Sequence, residues 1–316
     1  MIEGNESFFL QKAATLSCLI LILFAILSPW VSNNYLNPDL TVAADVVSNM
    51  DDFTWLDAFA DNSLMLLLLQ PISNYLGADI AVRMFQNVCV MFLGYCVLKY
   101  LDPFLALSFI LFFFFSLLLN QFRFALALSL GFVVLGEKQE TRKVFLGLLL
   151  IGAVCAHFFG GIAIAFIKTL KVTQKHNSKL WKVAFGATAS VLSSLVIFVF
   201  VDEGFRFSEY LSTAVPEYPS FTFVFSGVFV VLFWSRLSTL ERAILAIGCV
   251  GSGLILNFPA LSGRIAEFVV IIAFLLMCGR QARRIEQNLV LVVAFAFFAY
   301  RFSKWVLLDQ IPGVTT

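Results

Sequence analysis

The sequence predicts an all-α, polytopic membrane protein that crosses a bilayer about ten or eleven times. Three observations lead there. Of 316 residues, 60% are hydrophobic and 13% are charged, against about 25% charged in an ordinary soluble domain. Phenylalanine alone contributes 37 residues, more apolar bulk than a water-soluble fold of this size can hide. The apolar residues also gather into runs close to the roughly 20 residues that a spanning helix needs. The net charge of +1, with no basic stripe, excludes a nucleic-acid binder.

The spans read in order as 11–31, 79–98, 102–120, 121–136, 182–201, 219–235, 242–260, 263–279 and 286–306. The first run is long for the apolar part of a signal peptide and lacks a small-residue cleavage site, so it reads as a span. Residues 62–77 hold the run Leu64–Leu69 and then Gln70-Pro71, preceded by Asp52, Asp57 and Asp61. They read as an amphipathic helix lying at the outer interface. Residues 143–170 are too long for one span and too short for two standard ones, and His157 and Gly160-Gly161 interrupt them.

Lys/Arg bias arbitrates the direction of the chain. Lys138, Arg142 and Lys143 precede the interrupted stretch, and Lys171, Lys175, Lys179 and Lys182 follow it. Both groups belong in the cytoplasm, which requires two short helices meeting near His157. The same rule places Lys99, Arg236, Arg242, Arg280, Arg283 and Arg284 inside. The outer loops are then 32–61 and 202–218. Both are acidic, with Asp51, Asp52, Glu203 and Glu209 among their carboxylates. Arg301 and Lys304 near the last exit fit this scheme poorly. The whole chain reads as one integral membrane domain, 1–316. The six cysteines lie in apolar runs without metal-ligand or redox spacing and read as small buried side chains.

Ionisable residues near spans are costly and so are candidates for function. Arg123 follows Asn120-Gln121 and opens the span 121–136 on the outer side. It can snorkel to outer headgroups, or it can bind substrate. His157 lies in CAHFFGG, at the break between two half-length helices. It can be satisfied at a helix end, or it can transfer a proton or face a phosphate. Arg264 opens a helix in NFPALSGRIAEF, with Glu267 on the same face three residues on. The pair can lock the turn, and Arg264 can also face a phosphate. In this topology the three junctions bring Arg123, His157 and Arg264 to one side of the membrane. Two guanidinium forks suit a diphosphate, and a diphosphate embedded in a membrane with sugars outside describes a polyprenyl-linked glycan. Asn120, Gln121 and Glu267, with loop residues Asp51, Asp52, Glu203 and Glu209, are the candidate substrate contacts.

Four segments together resemble the Wzy/EpsG group of bacterial polysaccharide polymerases, covering most of residues 40–280. They are VVSNMDDFTWLDAF with the following 62–77, NQFRFALALSLGFVVLG, LLLIGAVCAHFFGGIAIAF and SGRIAEFVVII. Phe158-Phe159 stand where the group often has a small hydroxyl residue, and Phe268 stands in place of its usual tyrosine. The resemblance implies a metal-independent, cofactor-free membrane glycosyltransferase of GT-C-like architecture in the bacterial inner membrane. It would polymerise lipopolysaccharide O-antigen or a related surface polysaccharide on the periplasmic side. Its substrates would be undecaprenyl-diphosphate-linked repeat units, and a chain-length regulator could be a partner. The competing expectations are a transporter or flippase of a lipid-linked saccharide, whose helices are also broken, and a ligase or acyltransferase using the same carrier.

Overall fold

The computed structural model describes residues 2–31, 38–49, 68–119, 121–136, 143–176, 218–254, 259–280 and 282–307. Every regular element among them is helical. In order these are α1 (Ile2–Val31), α2 (Pro38–Ser48), α3 (Gln70–Leu76), α4 (Ala78–Tyr100), α5 (Pro103–Phe113), α6 (Phe122–Gly136), α7 (Lys143–Ala156), α8 (Phe158–His176), α9 (Tyr218–Phe233), α10 (Thr239–Leu254), α11 (Pro259–Met277) and α12 (Arg284–Leu307). The spans read at 79–98, 219–235, 263–279 and 286–306 therefore fall on helices, as do residues 242–254 of the span read at 242–260, whose residues 255–258 lie outside the described residues. The span at 182–201 and nearly all of the loop 202–218 lie outside the described residues.

These helices are apolar on both faces. On α4, Val82, Cys89, Leu93 and Val97 are buried. Ile80, Met84, Val88, Met91 and Tyr95 form an exposed stripe at helical spacing on the same helix. Similar exposed stripes run along α1 (Leu16, Ile20, Leu23, Leu27) and α12 (Ile285, Leu289, Val292, Phe295). A soluble helix turns its polar face outward, whereas a helix that is hydrophobic all round belongs in lipid. Among the described residues three helices, Phe8–Trp30, Ala78–Tyr100 and Arg284–Ser303, are long and apolar enough to cross a membrane, and five shorter apolar helices accompany them. This is the architecture of a helical membrane protein.

The chain forms two compact units. In the first, residues 1–161 and 290–316, α4 packs against α1, α2 and α6, and α6 packs against α7. Asp102 caps α5 by accepting the Phe104 N–H at 3.0 Å, with Pro103 at the first helical position. α5 ends in a π-turn, Phe114–Leu118, closed by the Leu119 N–H donating to the Phe114 carbonyl at 3.1 Å. The phenylalanine run 112–115 is a packing surface. Phe112 stacks on Phe297 at 4.2 Å, and Phe114 and Phe115 meet Phe298 at 5.6 and 5.5 Å. Arg301 is buried, with its guanidinium 5.1 Å over the Phe297 ring, so an aromatic face shelters this charge near the last exit.

Of the stretch 62–77, residues 62–67 lie outside the described residues. The rest holds the short α3, which buries no residue and exposes Ile72, Tyr75 and Leu76. Gly77, at φ +84°, turns the chain from α3 into α4.

In the second unit, residues 162–289, α11 packs against α9 and α10, with Phe229, Phe233 and Phe274 at its centre. α10 opens with a capping box: the Ser238 N–H donates to Glu241 Oε2 at 2.8 Å and the Glu241 N–H to Ser238 Oγ at 3.4 Å. Glu241 is fully buried and takes both arms of Arg280, at 2.7 and 3.0 Å. Arg280 also donates to the Arg236 carbonyl at 2.8 Å. Glu286 accepts from Arg236 Nε and from Ser235 Oγ, at 2.9 and 2.7 Å. The two basic turns are thereby tied together. Burial resists ionisation of Glu241, but the hydrogen bonds from Arg280 and Ser238 outweigh it and hold the carboxyl below its ordinary range.

Candidate functional site

Of the sequence-predicted site residues, Arg123 and His157 lie in the first unit, at the start of α6 and at the break between α7 and α8. Phe122 and Phe124 flank Arg123 in sequence, and both are buried. Phe122 meets Phe85 of α4 edge-on at 6.0 Å and joins Ala43 and Val47 of α2, Leu69, and Val82 and Cys89 of α4 in one apolar cluster. Phe124 lies 4.6 Å from the His157 ring, and a side-chain carbon at Gly160 would come within 2.7 Å of it. The two phenylalanines thus anchor the first turn of α6 on either side of Arg123, which is itself half-buried. Anchoring of this kind fixes the backbone of the turn that carries Arg123.

His157 occupies the break between α7 and α8. Its own N–H still bonds back to the Ala153 carbonyl at 3.0 Å, and its carbonyl receives the Gly161 N–H at 2.9 Å. The chain then doubles back sharply. A side-chain carbon at Gly161 would lie closer to the Val154 backbone than real side chains approach. A break between two helices is therefore present at His157, and glycine at 161 permits the close approach of that residue to Val154.

The imidazole caps α8, with Nδ1 accepting the Gly160 N–H at 3.2 Å. Accepting at Nδ1 means that a neutral ring carries its proton on Nε2. In this state the second nitrogen is a hydrogen-bond donor rather than a base. Of the two functional roles open to His157 from sequence, facing a phosphate uses a donor of this kind, whereas abstracting a proton uses an acceptor.

Two further polar residues at this end of α4 escaped the sequence reading. Arg83 donates to Asp79 Oδ2 at 2.9 Å and to the Pro29 carbonyl of α1. Gln86 is fully buried. Its Nε2 donates to the Leu119 carbonyl at 3.4 Å, just before the start of α6, and among the described residues its Oε1 meets no donor. The signal was Asp79, Arg83 and Gln86 at i, i+4 and i+7, a polar line on one face of an otherwise apolar span.

Gln121 immediately precedes α6, and its carbonyl accepts the Ala125 N–H at 2.9 Å. In the second unit, Arg264 falls in the opening turns of α11, which begins at Pro259, and Glu267 is half-buried on the same helix. The side chain of Arg264 lies outside the described residues. So do Asn120, Asp51, Asp52, Glu203 and Glu209. Among the described residues no group of three or more His, Cys, Asp and Glu side chains gathers to hold a metal ion. Comparison of the chain with models of protein families, with curated proteins and with solved structures returned no match.

Proposed function

We propose that the chain is a membrane glycosyltransferase, metal-independent and of GT-C-like architecture, that polymerises undecaprenyl-diphosphate-linked oligosaccharide repeat units into O-antigen or a related surface polysaccharide. It works in the bacterial inner membrane with its site facing the periplasm. The observation that carries this reading is the α6 junction, where Arg123 stands between two buried phenylalanines and the second of these packs on a helix-capping His157.

In the proposed reaction a hydroxyl at the non-reducing end of a new lipid-linked unit attacks the anomeric carbon of the growing chain. The bond from that carbon to the diphosphate breaks, the diphosphate leaves with the electron pair, and the hydroxyl proton passes to a base. Arg123 and Arg264 each offer a guanidinium to the charge gathering on the leaving group. His157 donates through Nε2 to a phosphate or sugar oxygen. Gln121 and Asn120 border Arg123, and Glu267 orients Arg264. Asp51, Asp52, Glu203 and Glu209 contact the glycan, and one of them serves as the base. The reaction needs no metal, cofactor or nucleotide sugar, because the donor already carries its leaving group. A separate chain-length regulator would set the product distribution.

The paired short helices α7 and α8 and the π-turn after α5 also suit a second reading, a transporter of a lipid-linked saccharide. Expression in cells that lack their own polymerase but make the repeat unit separates the two. The enzyme gives a polymer ladder, which Arg123→Ala and Arg264→Ala abolish at unchanged membrane levels. A transporter moves single repeat units outward and gives no ladder.

A further inference from the structure

A groove of about 370 Å³ runs between α9 and α10, with a wholly apolar lining that includes Val224, Gly227, Val228, Val231, Leu232 and Cys249. Val224 and Val231 are more than half exposed. Gly227 makes a notch in the groove, since a side-chain carbon added there would meet nothing within 4 Å. Trp234 follows Val231 by one turn, and Arg242 precedes Cys249 by two turns, so the lines of both helices lead from the groove to this pair. Arg242 Nε donates to the Trp234 carbonyl at 2.9 Å, and its guanidinium lies 5.6 Å from the Trp234 ring centre.

The charge at this mouth is not balanced. Glu241 is held by Arg280, and Glu286 is held by Arg236. Among the described residues no carboxylate pairs with Arg242, Arg283 or Arg284. We propose that the groove is a binding site for one anionic glycerophospholipid, with an acyl chain lying along Val224–Val231 and the phosphate on Arg242. A guanidinium can hold two phosphate oxygens at once. A tryptophan beside it sits naturally at headgroup level. The notch at Gly227 lets a chain lie deeper than it could on a smooth helix surface. This site is independent of the glycosyltransferase reading.

The test uses a variant in which Trp30, Trp55, Trp181 and Trp305 are replaced by phenylalanine, leaving Trp234 as the sole tryptophan. It is reconstituted in phosphatidylcholine bilayers containing graded amounts of either bromo-acyl phosphatidylglycerol or bromo-acyl phosphatidylcholine. Quenching of Trp234 should favour the phosphatidylglycerol by roughly fivefold in relative affinity, the effect of one basic residue near an anionic headgroup. Arg242→Gln should bring the ratio to one. Gly227→Leu should fill the notch and reduce quenching by both lipids while leaving the thermal midpoint unchanged. Equal quenching by the two lipids in the parent protein, or a preference that survives Arg242→Gln, overturns the proposal. Should Arg242→Gln fail to fold, Gly227→Leu decides, and undiminished quenching by phosphatidylglycerol in that variant overturns it equally.

Discussion

Replacing Gln86 by leucine should leave the fold as stable as before or more stable, and should reduce activity. Gln86 is fully buried in α4. Its side-chain hydrogen bond to the Leu119 carbonyl, at 3.4 Å, is at the long limit of such bonds, and among the described residues its Oε1 has no donor. A buried acceptor without a donor costs about 1–3 kcal/mol. A hydrogen bond between helices in a bilayer is worth about 0.6 kcal/mol on average. Leucine removes the first, forfeits the second and fills nearly the same volume, so no cavity opens. The balance lies between zero and about 2 kcal/mol in favour of the variant. In the proposed enzyme Gln86 acts as a positioning residue, because it holds the carbonyl just before the α6 turn that carries Arg123. Thermal denaturation of purified protein in detergent, followed by loss of monodisperse protein, measures the first effect, and polymer yield measures the second. The expected result is an unchanged or raised midpoint with polymer synthesis lowered about tenfold. A midpoint lowered by the equivalent of about 2 kcal/mol or more would show that Gln86 is a structural strut and would refute this reasoning.

Four other outcomes follow from the geometry. Arg280→Met strands the buried Glu241 carboxylate and should destabilise by about 3–5 kcal/mol, whereas the double variant Glu241→Gln/Arg280→Met should recover much of that loss in the same thermal assay. Because the folded protein holds Glu241 below the ordinary carboxyl value, near 4.3, its contribution is fully present above that pH. It should disappear as pH falls through the depressed folded value, so the midpoint of the parent protein should drop on acidification in that window more than that of Glu241→Gln. Gly161→Ala puts a side-chain carbon into the Val154 backbone and should lower membrane levels severalfold, while alanine at Gly147, which has open space around it, should be silent by immunoblot. His157→Asn retains a capping acceptor for α8 but loses the Nε2 donor, so protein levels should hold while polymer falls about tenfold. Full activity in His157→Asn would confine the histidine to capping.

The helices were legible wherever apolar runs had charged or turn-forming ends. The span read at 79–98 is α4, Ala78–Tyr100, bounded by Gly77 and Lys99. The break at His157 was legible from the length of 143–170, from Gly160-Gly161 and from the basic residues on both sides of the stretch. The π-turn gave no signal, because Phe-Phe-Ser-Leu-Leu reads as ordinary apolar helix and its extra residue is set by packing and by the Leu119 backbone. Gln86 and Arg83 were hidden because a search for spans averages over faces, and two polar residues hardly change the mean hydropathy of a 23-residue helix. The Glu241–Arg280 and Arg236–Glu286 pairs join residues 39 and 50 positions apart, a separation that no local pattern encodes. The Ser238–Glu241 capping box could have been read directly from Ser-Thr-Leu-Glu.

In the proposed function this chain joins lipid-linked repeat units, with Arg123 and Arg264 acting on the leaving diphosphate. The measurement that tests it most directly is the initial rate of polymer formation in proteoliposomes. Purified protein is supplied with undecaprenyl-diphosphate-linked repeat units, and the parent is compared with Arg123→Lys and Arg264→Lys at equal amounts of folded protein. Lysine keeps the charge but loses the planar fork. The parent should give a ladder without added metal or nucleotide sugar, and each lysine variant a rate about a hundredfold lower. No polymer from the folded parent, or an unchanged rate in either variant, would contradict it.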